Sequence, residues 1–138
     1  MTSNLARSLA VAGTVNAVLG AGFVLLATAA PDALGAVVDM VSTGGPVGPL
    51  SAAALFAFAL VGAIMVGFGV LVVALARGAG VAQAVGVSLL AWFVVDSSAS
   101  VATGFALNVV GNLAFLALFA PALRSLARRR AAQEAALG

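Results

Sequence analysis

The stretch Trp92-Phe93-Val94-Val95-Asp96-Ser97-Ser98-Ala99-Ser100-Val101-Ala102-Thr103-Gly104, followed by Asn108 and Asn112, decides how the chain divides into helices. Residues 81–123 hold enough apolar sequence for two membrane spans of about 20 residues with almost nothing between them, so the break has to fall inside this polar run. Ser98-Ala99-Ser100 reads as the link. That gives a third span at about 81–98 and a fourth at about 103–123, with Thr103 as N-cap candidate of the fourth. On this division Asp96 stands in the last turn of its helix, where the helix dipole disfavours a negative charge. Other groups must then hold it, or water must reach it. Trp92, one turn earlier, reads as an interfacial anchor.

Outward from this stretch the composition is that of a chain solvated by lipid. It is 64% hydrophobic and 7% charged, with a mean hydropathy of +1.24, against about 25% charged residues in soluble domains. At 138 residues, four spans of about 20 residues use most of the length and leave room for one domain, residues 1–138, without a soluble catalytic unit. Cysteine and histidine are absent, which excludes disulfides, thiolate chemistry and the usual zinc and haem ligands. The expected cofactor and metal content is none.

The N-terminal segment has Arg7, an apolar run and Ala27-Thr28-Ala29 before Ala30-Pro31, features shared with a cleaved secretory signal. The apolar run from Leu9 to Ala30 exceeds the usual core of about 7–15 residues, and Thr14 and Asn16 interrupt it. A retained first span at about 5–28 is the better reading. Gly13, Ala17 and Ala21 form a small-residue face for close helix approach, and Asn16 suits an interhelical hydrogen bond. Pro31 ends this span. Leu34, Val37, Val38 and Val41 then recur at helical spacing, so residues 31–43 read as a short interfacial helix before Gly44-Gly45-Pro46 and Gly48-Pro49 break it. The second span covers about 51–76, with Ala59, Ala63 and Gly67 in register for packing. The very short Arg77-Gly78-Ala79-Gly80 turn makes the second and third spans antiparallel neighbours.

In the fourth span Gly104, Asn108 and Asn112 follow one another at four-residue steps, each rotating by only about 40°, and so line one face. Gly104 reads as a packing position, and the asparagines must face protein rather than lipid. With Asn16, Asp96 and Ser100 they form a candidate polar seam. Pro121 reads as a break or bend. The basic tail 124–138, with Arg124, Arg128, Arg129 and Arg130, reads as a membrane-surface segment.

Every arginine lies at the N-terminus, between the second and third spans, or after the fourth, whereas Asp32, Asp39 and Asp96 fall at the other ends of the spans. The positive-inside rule then places both termini in the cytoplasm. It also accounts for the basic tail, so no nucleic-acid partner is expected. Without histidine, a carboxylate pair or a phosphate-binding glycine loop, no hydrolytic or nucleotide-dependent site can be assembled, and an enzyme is not expected.

Four-span proteins of this size include small multidrug transporters and fluoride channels. The former carry a membrane glutamate in their first helix, where this chain has Asn16, and the latter carry polar motifs that this chain lacks. The W-x-x-x-D-x-x-x-S-x-x-x-G-x-x-x-N-x-x-x-N series of Trp92, Asp96, Ser100, Gly104, Asn108 and Asn112 resembles uncharacterised small four-helix bacterial membrane proteins. That resemblance covers about a third of the chain and implies no activity. The lysine-free composition, rich in Ala, Val and Gly, looks like that of a high-GC bacterium. The expected protein is an all-α, up-down-up-down bundle of four transmembrane helices in a bacterial inner membrane. Its partners are the lipid bilayer and either further copies or a larger membrane complex. Two functions remain open: an accessory or assembly element working by helix association, or a path for a small solute or ion along the seam.

Overall fold

The computed structural model describes residues 3–42 and 44–137, and the described secondary structure is entirely helical. Five helices follow in order: α1 Ser3–Ala29, α2 Pro31–Val41, α3 Ala52–Ala76, α4 Val81–Ala102 and α5 Asn108–Leu137. Four of them, all but α2, have a segment long and apolar enough to cross a membrane, and in α5 that segment is Asn108–Ser125.

Local sequence explains most of the boundaries. Pro31 occupies the first turn of α2, where its missing N–H costs nothing. Ser51 caps α3 by accepting from the Ala54 N–H at 3.2 Å. Both turns between long helices end in the same device. At the end of α3, Gly78 N–H donates to Leu75 O and Ala79 N–H to Ala74 O, each at 3.0 Å. At the end of α4, Gly104 N–H donates to Val101 O at 3.2 Å and Phe105 N–H to Ser100 O at 2.7 Å. These are Schellman motifs, and they require a left-handed residue, which Gly78 (φ +84°) and Gly104 (φ +87°) supply.

The second of these motifs corrects the expected division of residues 81–123. Ser98-Ala99-Ser100 is not a link, because α4 runs on to Ala102. Thr103 is the C-cap of α4 and not an N-cap, its hydroxyl donating back to Ala99 O at 2.8 Å. The last spanning helix begins at Asn108, so Gly104 lies in the turn, where a Cβ would meet nothing within 4 Å, and is no packing position. Asp96 is more than a turn inside α4, clear of the unfavourable dipole at the helix end. Pro121 also fails to end its helix, since α5 continues through it to Leu137. The side chains of Arg129 and Arg130, and residues Thr43 and Gly138 at the ends of the expected interfacial segment and tail, lie outside what is described.

The long helices pack in chain order. α1 lies most extensively on α3, α3 lies on α4, and α5 rests on α4, while α1 and α4 barely meet. The α1–α3 contact is a glycine seam. A Cβ added at Gly20 would stand 2.5 Å from Gly62 O, and one at Gly69 would stand 2.5 Å from Gly13 O. Backbone therefore touches backbone at two levels, which only glycine allows. Ala59 and Ala63 are buried as expected. Gly67 is also buried but serves the other neighbour: its Cβ would fall 2.8 Å from that of Trp92 in α4. Trp92 is accordingly packed between α3 and α5 and edge-on to Phe115 at 5.2 Å, a packing role in place of an interfacial anchor.

The α2 helix closes one end of this arrangement. Leu34 is fully buried and clusters with Ala27, Ala59 and Ala99, with Val38, Phe58 and Leu55 packed around them. The expected apolar stripe of α2 is split, because Leu34 and Val38 turn inward while Val37 and Val41 are exposed. Asp39 steadies the following loop by accepting from the Val47 N–H at 2.6 Å.

Candidate functional site

Asp96, Ser100, Asn108 and Asn112 do come together, at the end of the molecule that α2 covers. Asp96 and Ser100 are one turn apart on α4, and Asn108 and Asn112 are one turn apart on α5. The turn at residues 103–107 folds the two pairs face to face. Asn108 Nδ2 donates to Asp96 Oδ2 and to Ser100 Oγ, both at 2.9 Å. Asn112 Nδ2 donates to the same Asp96 Oδ2 and to Ser97 Oγ, the latter at 3.2 Å. Each carboxamide has two N–H donors, and both donors of both residues are thus committed. Ser100 Oγ spends its own proton on Asp96 O at 2.7 Å.

The cluster is dry. Asp96 is 1% exposed, Ser100 0% and Asn112 5%. Phe56 near the start of α3 stacks on Phe105 of the turn, with ring centroids 4.4 Å apart. Asp96 Oδ1 is the buried side-chain polar atom that has no hydrogen-bond partner among the described residues. Beside the cluster, a cleft of about 420 Å³ is bounded by Phe56, Gly104, Phe105, Ala106, Leu107 and Asn108.

Ser97 was not foreseen as a member of the seam. It lies one position from Asp96, not four, and only the way α5 crosses α4 brings its hydroxyl to Asn112. Asn16 does not join the cluster. Its Nδ2 donates to Met65 O at 2.7 Å, across the α1–α3 seam, as an ordinary interhelical bond. Ser88 does the same from α4 to Gly67 O at 2.7 Å. Gly13 and Ala17 belong to the α1–α3 contact, both lying against Gly69. At the opposite end of the molecule a larger apolar groove of about 770 Å³ runs between α1, α3 and the start of α4, with Arg77 and Gln83 among its walls. It is separate from the carboxyl cluster. Among the described residues no group of three or more potential metal-ligating side chains occurs.

Four apolar helices, and a carboxyl buried by two of them, define the class: a small multi-pass membrane protein. No family model, no curated protein and no solved structure matches the chain.

Proposed function

We propose that the protein works by helix association rather than by catalysis, as an assembly or accessory subunit or as a homo-oligomer in a bacterial inner membrane, with both termini cytoplasmic. The observation that carries this reading is α5. Among its described residues Asn112 alone is buried, while Val110, Leu113 and Leu118 turn away from the rest of the chain. Yet α5 is not loosely held, because the clasp to Asp96 fixes its rotation on α4. A spanning helix with a fixed rotation and an uncovered face suits it to receive another helix. The positive-inside distribution of the arginines supports the orientation.

The alternative of a solute path along the seam has less support. The carboxamide protons of the seam are spent within the chain, and Asn16 belongs to another interface. Native mass spectrometry of the protein extracted from its own membranes in a mild detergent tests the proposal. A closed homo-oligomer or a larger complex of fixed stoichiometry is the expected result. A monomer carrying lipid alone, in every mild detergent that preserves the fold, would overturn it. Flux that survives reconstitution of the pure protein and disappears in Asp96→Asn would instead establish the solute path.

A further inference from the structure

We propose that Asp96 Oδ1 binds a small monovalent cation, a proton or a sodium-sized ion, and that this occupancy holds α5 against α4. The inference concerns the occupant of the clasp and does not depend on the association reading. It starts from an asymmetry within one carboxyl group. Oδ2 accepts from both Asn108 and Asn112, while Oδ1, just as deeply buried, accepts from nothing described. Most neighbouring donors are committed elsewhere: the four carboxamide protons are used, the Ser100 hydroxyl is turned to the Asp96 carbonyl, and Ser97 Oγ accepts from Asn112, with no bond from its own proton to Oδ1.

Side-chain charge does not meet the need either. From residue 40 to residue 123 the ionisable side chains are Arg77 and Asp96 alone. Arg77 caps the far end of α3, and Asp96 is fifteen residues into α4, about 22 Å along the axis from its start. The segments of α3, α4 and α5 packed around the clasp thus contribute no titratable or charged group besides Asp96. In α2, Asp32 is exposed and Asp39 is engaged with the Val47 N–H, and both are acids. An isolated buried carboxylate is among the costliest groups that a membrane-spanning segment can carry, and a cation on the free oxygen removes that cost.

The geometry also limits the cation's size. The nearby cleft is lined by Asn108 but not by Asp96, and Asn108 is bonded to Asp96 Oδ2 and Ser100 Oγ, so the space left at the buried Oδ1 suits a proton or a largely dehydrated ion. In the proton case one O–H bond forms at Oδ1 at the expense of a hydronium or buffer acid, and nothing else in the chain changes bonding. In the sodium case the ion exchanges part of its water shell for Oδ1. Both leave Oδ2 as the acceptor of the two carboxamides. By linkage, whatever displaces α5 also weakens the hold on the cation.

The test is carboxyl-carbon NMR of the wild-type chain, labelled at aspartate and placed in lipid nanodiscs. Three aspartate signals are expected, and those of Asp32 and Asp39 are identified by the Asp32→Asn and Asp39→Asn variants. In sodium-free buffer near neutral pH, a carboxylic-acid signal for Asp96 establishes the proton. A carboxylate signal that moves on adding sodium, and not on adding a bulky organic cation, establishes the ion. A carboxylate signal indifferent to sodium, lithium and potassium overturns the proposal. All three readings come from the wild type, so the folding of an Asp96 variant does not limit them.

Discussion

The α1–α3 and α4–α5 interfaces solve the same problem with opposite chemistry. At α1–α3 the sequence removes side chains: Gly13, Gly20, Gly62 and Gly69 bring two backbones into contact, and dispersion over a long seam does the holding. At α4–α5 the contact is shorter, and a handful of directed hydrogen bonds onto one buried carboxyl fix it. A close-packed backbone seam fails by steric insertion. A polar clasp fails by losing a donor or gaining an uncompensated charge. The first is a permanent joint, whereas the second can respond to what occupies the carboxyl.

The sharpest way to break this contrast is at the glycine seam. Gly20→Val places a Cβ 2.5 Å from Gly62 O and other atoms beyond it, and backbone cannot yield as a side-chain tip can. A loss of about 3 kcal/mol or more is expected, because overpacking here separates two helices rather than shifting a rotamer. Unfolding in mixed micelles measures it. A variant as stable as the wild type would mean that the two helices do not approach as closely as described.

Next in size is Asn112→Leu, which removes two bonds from the clasp and leaves Oδ2 with one donor. The expected loss is about 1–2 kcal/mol, less than the steric insertion. The effect should be local: a spin-label distance between α4 and α5 broadens while one between α1 and α3 is unchanged. Equal broadening at both would show that the interfaces are not independent. Smaller again is Asn16→Leu. One interhelical bond to Met65 O is lost from a seam held mainly by packing, and a cost of about 0.6 kcal/mol is expected.

The same contrast explains what the sequence made legible. Spans, turn positions near Pro31 and Gly78, and the presence of small-residue faces on α1 and α3 followed from composition and spacing, but neither their pairing nor the register did: Gly20, and not the exposed Ala21, continues the seam from Gly13. The four-residue ladder of Asp96, Ser100, Asn108 and Asn112 was legible too, because residues one turn apart share a face whichever helix carries them. The break between α4 and α5 was misread for a physical reason. Ser98, Ser100 and Thr103 look like loop residues, but the Ser100 and Thr103 hydroxyls return to carbonyls one turn back, which lets them stay within and cap a helix in an apolar setting. The better signal was Gly104, the counterpart of Gly78, since a glycine just past a helix end is what a Schellman motif needs. Asn16 was placed in the wrong cluster because spacing within α1 carries no information about which neighbour it faces.

Gly111→Leu has the smallest expected effect on the single chain and separates the roles of α5's two sides. Gly111 adjoins buried Asn112, yet a Cβ there would meet nothing within 4 Å. Replacing a helix glycine removes an entropic cost of roughly 0.5–1 kcal/mol, so the stability of the monomer should hold or rise slightly. If a second helix lies on the uncovered face of α5, as the proposed function requires, the added side chain intrudes on it. Stoichiometry by native mass spectrometry should then fall while the α4–α5 distance stays fixed. An unchanged assembly would move the association surface to another helix, and a broadened α4–α5 distance would show that Gly111 belongs to the clasp side after all.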